Sequence, residues 1–201
     1  MKDNEIFLKE ICQYFLYIKP AVHVLEKIQD AKSAIREKCN NEISQLSATS
    51  VRLISFAGLK ENESSLLFHL HKILQGIAPF QLSLKDYGNL PTHTIFIKVA
   101  SNICLSETID YIKKSGKLSS RTIEPPHFLY DFYIPVANKL KPWQFKKLSV
   151  EYSRATFSES CIVNEIQLSK KEPDSPKTYH LCSFLLSGKK TETLQQTTLF
   201  Y

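Results

Sequence analysis

The residues able to do chemistry are thinly spread along this chain. It carries six histidines and five cysteines in 201 residues. His69 and His71 stand two apart in LLFHLHKIL, a stretch with helical spacing. Residues two apart on a helix point to different faces, so the pair does not make a metal ligand set. His23 and His180 have no sequence neighbours that would complete one either. His93 opens the run HTIFIKVA as a strand-end residue, with no hydroxyl two positions after its imidazole. His127, in Pro125-Pro126-His127-Phe128, draws more interest because it stands six residues before Tyr133. On one extended strand that even spacing puts both on the same face, roughly 20 Å apart. At that distance His127 is expected to touch a ligand from the rim, not to catalyse. Cys12, Cys39, Cys104, Cys161 and Cys182 are scattered and contain no C-x-x-C pair. A disulfide framework or zinc site is therefore not expected, and a reducing compartment is. No metal or cofactor is called for.

Strands and helices of ordinary length must position these groups. CQYFLYI at 12–18 is an apolar run stopped by Pro20 and reads as a buried strand. From Val22 to Lys38, Val24, Leu25, Ile28, Ala31 and Ile35 recur at helical spacing. VRLISF at 51–56 is a short strand that Gly58 breaks, and 61–77 is a second amphipathic helix with Gly76 at its end. Strand runs at 80–87 and 93–100 flank the turn residues GNLP, and a third helix is expected from about Ser106 to Lys114. FLYDFYIPVA at 128–137 reads as one strand, followed by a helix that Pro142 opens and that runs to about Tyr152. ATFSESCIVNEIQLSKK and TYHLCSFLLS read as two further strands around the turn cluster EPDSP. Both halves thus run strand, helix, strand, strand, which implies an α+β fold of two lobes with a cleft between them.

Composition agrees with one soluble domain. Hydrophobic residues make up 43% and charged residues 23% of the chain, enough apolar material for a core. The domain is expected to span residues 10–188, with 189–201 a mobile tail. MKDNEIFLKE lacks the pattern of a signal peptide, and no run approaches the ~18 consecutive apolar residues of a membrane span. A cytoplasmic location is expected. The net charge of +6 is compatible with phosphate-bearing ligands and does not require them. Tyr14, Tyr17, Phe80, Phe96, Tyr130, Phe132 and Phe157 could stack bases, but aromatics interleaved in strands belong more often to the core. Lys85 and Lys98 are expected to be solvated.

Three stretches together resemble the 2H phosphoesterases of the bacterial 2′-5′ RNA ligase type. They are YFLYIKP at 14–20, IAPFQLSLKDYGNLPTHTIFIKV at 77–99 and NKLKPWQFKKLSVEY at 138–152, and the likeness runs from about 14 to 187. The resemblance implies a two-lobed fold with a His-x-Thr/Ser motif in each lobe. One histidine then serves as general base and the other as general acid on a 2′,3′-cyclic phosphate or 2′-5′ linkage. Imidazole suits both roles because its ordinary pKa lies near ~6.5.

Neither motif is present. Where the resemblance places the first, the chain reads Val51-Arg52-Leu53-Ile54-Ser55, with Arg52 at the histidine position and Ile54 at the hydroxyl position. Where it places the second, the chain reads Tyr133-Ile134-Pro135-Val136, with Tyr133 and Pro135 in those places. A guanidinium stays protonated at physiological pH and holds anions through its fork of donors. A phenol, with a reference pKa near ~10, is a poor base at neutrality. The resemblance therefore implies a catalytically silent member binding a nucleotide, an RNA end or another anionic ligand through Arg52, Tyr133 and His127. Two alternatives stay open: a cyclic phosphodiesterase with relocated groups, such as His127 with Tyr133, and an interaction protein with a closed cleft. The tail segment Gln196-Thr197-Thr198-Leu199-Phe200 also resembles the Gln-x-x-Leu-Phe peptides that dock on the bacterial sliding clamp, a pattern short enough to recur by chance.

Overall fold

The computed structural model describes residues 10–40, 49–91, 93–100, 102–116 and 118–189. The strands are β1 (Ile11–Ile18), β2 (Val51–Leu59), β3 (Phe80–Leu90), β4 (Thr94–Val99), β5 (His127–Phe128), β6 (Tyr133–Ala137), β7 (Ser158–Val163), β8 (Glu165–Lys171) and β9 (Thr178–Leu185). The helices are α1 (Val22–Lys38), α2 (Glu63–Leu74), α3 (Asn102–Lys114) and α4 (Pro142–Tyr152). Two antiparallel sheets result, a five-stranded one in the order β5-β2-β1-β8-β9 and a four-stranded one in the order β6-β4-β3-β7. This is the expected two-lobed α+β architecture.

The apolar phase of each strand decides which face is covered. In β1 the residues Cys12, Tyr14, Leu16 and Ile18 are fully buried while their alternate neighbours are not. Helices α2 and α3 lie against the five-stranded sheet, at β9 and β2, and α1 and α4 lie against the four-stranded one. Each helix lends a stripe to this core: Val24, Ile28 and Ile35 from α1, and Leu66, Leu70, Ile73 and Leu74 from α2. Burying one such side chain is worth about 1.5–3 kcal/mol. The first turn of α4 is set by Pro142 and by the Lys141 backbone N–H, which donates to Gln144 Oε1 at 2.8 Å.

Several boundaries differ from the sequence reading. Gly58 does not end β2, because it sits within the strand beneath the ring of Tyr14, where an added Cβ would meet Tyr14 Cε2 at 3.2 Å. Helix α3 begins at Asn102, four residues early. The run 128–137 is not one strand: β5 pairs with β2 in one sheet and β6 with β4 in the other. The run 155–171 is likewise divided at Asn164, with β7 on β3 and β8 on β1. In both places the chain crosses between sheets, so each lobe draws strands from both halves of the sequence.

Candidate functional site

The uncovered faces of the two sheets build the site, and irregularities in strand pairing decide what they display. A regular pleat would set Arg52 and Ile54 on the same face of β2. Instead Leu16 pairs with Ile54 and Tyr17 with Arg52, which makes Leu53 an extra residue in a β-bulge. Leu53 and Ile54 are both fully buried, while Arg52 is exposed. The expectation that Ile54 occupies the hydroxyl position beside Arg52 is therefore corrected. Ser55, opposite Phe15, shares the face of Arg52.

Tyr17 lies on that face between Arg52 of β2 and Gln167 of β8. A second bulge re-aims β9. Leu168 pairs with Cys182 but Ser169 pairs with His180, so Leu181 is the extra residue and His180 turns to the side of Tyr17. Tyr17 Oη and His180 Nδ1 are 3.4 Å apart. Burial first, and then the charge of Glu165, raises the Tyr17 phenol above its ordinary pKa, so it remains a hydroxyl at neutral pH.

The four-stranded sheet answers with aromatic rings. Tyr133 and Pro135 of β6 lie opposite Lys98 and Phe96 of β4. The rings of Phe96 and Tyr133 are 4.7 Å apart between centroids and tilted by 38°. The Phe96 ring sits over Gly88, where an added Cβ would stand 2.5 Å from it. Tyr17, which lines a cavity, and Phe96, which packs on Tyr133, are thus half-buried and not the core residues that strand placement implied, whereas Tyr14, Phe132 and Phe157 are core as expected. Lys85 and Lys98 are exposed, as expected of strand lysines.

Arg52 and Tyr133 line one cavity of ≈ 370 Å³ together with Ser50, Leu129, Asp131, Pro135 and Asn138. The Arg52 guanidinium lies 4.7 Å over the centre of the Phe15 ring, an arrangement that fixes a cation without neutralising it. No ion pair among the described residues includes Arg52. Asp131 sets a carboxylate in the same lining. Asn138 Oδ1 is a buried acceptor there with no hydrogen-bond partner among the described residues. His127 is not part of this lining. It pairs with Ser55 across β5 and β2, so it shares a sheet with Arg52, and the continuous strand joining it to Tyr133 does not exist.

A search of solved structures finds the same architecture in several proteins. Escherichia coli LigT complexed with 3′-AMP aligns with a TM-score of 0.62 at 14% identity, over 89% of this chain and 99% of that one. A Thermus thermophilus protein aligns with a TM-score of 0.59 at 15% identity, over 89% and 100%. A crystal structure described as a phosphoesterase gives 0.58 at 15%, over 87% and 98%. The fold is that of the LigT-like 2H phosphoesterases. No protein-family model and no curated sequence matches the chain.

Within this 2H fold, Arg52 and Tyr133 face one cavity from opposite lobes, as the sequence implied. Nothing in the sequence singles out Ser55, Asp131 or Asn138. The signal for Ser55 was hidden because a bulge breaks the two-residue period, and Asp131 and Asn138 lie in connections, where no period speaks. Among the described residues no three His, Cys, Asp or Glu side chains group as a metal site, and no helix is long and apolar enough to cross a membrane. Residues 190–201, with the clamp-like peptide Gln196–Phe200, lie outside the described residues.

Proposed function

We propose that this chain is a 2H-fold binding protein that holds a nucleotide, an RNA end or a similar phosphate-bearing ligand in its cleft without turning it over. One observation carries this reading: an exposed guanidinium, stacked on Phe15 and in no ion pair among the described residues, faces Tyr133 across a cavity between the sheets. An Arg fork holds phosphate oxygens through paired charge-assisted hydrogen bonds. The Tyr133 hydroxyl can add a donor from the other lobe, and the Phe96–Tyr133 pair offers a face for a base. Structures of E. coli LigT with 3′-AMP, NADP+, ATP and phosphate add support, since proteins of this fold take such ligands.

No histidine lines the Arg52 cavity among the described residues, and in-line phosphodiester hydrolysis needs one group to accept a proton and another to deliver it. The open cavity and exposed Arg52 count against a closed interaction protein. A reducing, cytoplasmic setting and a domain of residues 10–188 belong to the same proposal, as does His127 as a rim contact. The test is titration with 3′-AMP alongside a 2′,3′-cyclic AMP hydrolysis assay. Arg52→Ala removes charge-assisted bonds worth about 1.5–3 kcal/mol, which is roughly a 10- to 150-fold loss of affinity. Hydrolysis that vanishes in His127→Ala or His180→Ala would overturn the claim of a silent cleft, and unchanged affinity in Arg52→Ala would overturn the binding site.

A further inference from the structure

Outside the cleft, one surface combines positive charge with exposed apolar groups. Residues 139–154 hold five cations, Lys139, Lys141, Lys146, Lys147 and Arg154, against the single acid Glu151, in a chain whose net charge is +6. All five cations are exposed. Helix α4 sorts these groups. Gln144, Leu148 and Tyr152 turn inward to the four-stranded sheet, where the Tyr152 ring stands edge-on to Tyr87 with centroids 4.8 Å apart. Trp143, Lys146, Lys147 and Val150 recur at i, i+3, i+4 and i+7, so they form one stripe on the opposite pole of the helix. In the β3–β4 pair Tyr87 lies opposite Ile97, while Gly88 lies opposite Phe96. Helix α4 therefore covers the side of the sheet away from the Phe96–Tyr133 rings, and its outer stripe points away from the cleft.

Two features set this stripe apart from an ordinary solvated helix face. Trp143 is 48% exposed and Val150 63% exposed, and seven residues of helix put them about 10 Å apart along the axis. The acid, in turn, is already neutralised. Glu151 pairs with Lys38 at the end of α1, where Lys147 Nζ also donates to the Lys38 carbonyl at 3.0 Å. Lys146 and Arg154 enter no ion pair among the described residues. An uncompensated positive field around an outward indole matches an anionic lipid surface. There the indole sits at headgroup level, and lysine stems lie along apolar surface while their ammonium groups reach the phosphates. A nucleic acid would also meet the cations and the indole, but Val150 has no ring for a base to stack on. An aliphatic tip on a convex ridge gains instead by entering the acyl boundary.

We propose that the outer face of α4 docks the protein on anionic phospholipid membranes. Trp143 and Val150 are its shallow anchors, and Lys139, Lys146, Lys147 and Arg154 face the headgroups. Trp143 is the only tryptophan of the chain, so its emission reports the contact directly. The experiment adds vesicles to the full chain, either phosphatidylcholine alone or a roughly 7:3 mixture with phosphatidylserine as the anionic surface. Flotation and Trp143 fluorescence are read together. Binding to the mixed vesicles is expected, with a blue shift and protection from acrylamide, and it weakens as salt screens the field. Each Lys or Arg near such a surface is worth about five-fold in partitioning, so Lys146→Ala/Arg154→Ala is expected to lower it about 10- to 25-fold. Tm and 3′-AMP affinity stay as in the parent, because neither residue is buried or in the cleft. Trp143→Ala lowers flotation as well. Mixed vesicles that do not bind, equal binding to phosphatidylcholine alone, binding with the Trp143 emission unchanged, or flotation untouched by the double variant overturns the proposal. A blue shift with oligoadenylate but not with the mixed vesicles also overturns it and gives the face to nucleic acid. None of these outcomes bears on the Arg52 site.

Discussion

Replacing Glu63 by Ala should destabilise the protein far more than replacing its partner Lys170 by Met. Lys170 is 3% exposed on the core side of β8, with Nζ 2.6 Å from Glu63 Oε2. The same carboxylate oxygen accepts from the Tyr14 hydroxyl at 2.8 Å. Burial works against the Lys170 charge, but the hydrogen bond and charge of Glu63 outweigh it and hold its pKa above the ordinary value. Glu63→Ala therefore strands a buried ammonium and a buried phenol at once, with Glu172, 3.9 Å away, in partial compensation. Breaking a buried pair in this sense costs about 3–5 kcal/mol. For a chain of this size each kcal/mol moves Tm by about 2–4 °C, so a fall of roughly 6–20 °C is expected. Lys170→Met removes the stranded charge itself and leaves Glu63, whose side chain is 22% exposed, able to turn towards solvent. Its cost should stay under about 2 kcal/mol, because well-packed apolar replacements of buried ions are often nearly neutral. Calorimetric melting of the two variants decides it. If Lys170→Met melts as low as Glu63→Ala, or if both melt with the parent protein, the reasoning about stranded charge is wrong.

Three further outcomes are expected. Stability should fall in alkali, because burial raises Cys182 from 9.0 to about 11 and Tyr87 from 10.0 to about 12. The folded state holds these protons more tightly, so the stability they confer is complete below pH 9 and is lost as pH rises through 11 and 12. Each group costs about 1.4 kcal/mol per pH unit over its window. Burial lowers the Lys32 pKa and so acts with the opposite sign, since its penalty fades as pH rises. A urea midpoint that holds steady or climbs from about pH 9 to 11 contradicts this. Gly88→Ala should cost about 1–3 kcal/mol, because the new Cβ must push aside the Phe96 ring and disturb its contact with Tyr133; 3′-AMP affinity should drop with it, and a variant matching the parent in both Tm and affinity would show that the rings do not form the wall. Asp131→Asn should strengthen phosphate binding by about two- to five-fold, since exposed charge pairs are worth ~0.2–1 kcal/mol. Weaker binding in that variant would mean that the carboxylate contacts the ligand itself.

Much of the architecture was legible before any coordinates. Apolar residues two apart in CQYFLYI and at helical spacing in 22–38 marked out β1 and α1 nearly to the residue, because burial of a strand face or helix stripe writes its own period into the chain. The placement of Arg52 and Tyr133 in opposite lobes, lining one cavity, was equally readable. Register was not. The bulges at Leu53 and Leu181 put Ser55 and His180 on the cleft side and sent Ile54 to the core. An extra residue costs the local period nothing that a sequence displays, because the pairing strand that defines it lies far away in the chain. The same holds for the crossings after Phe128 and at Asn164, where one apolar run serves two sheets. Period belongs to the strand itself and can be read from it; register belongs to pairs of strands, and only the assembled sheets fix it.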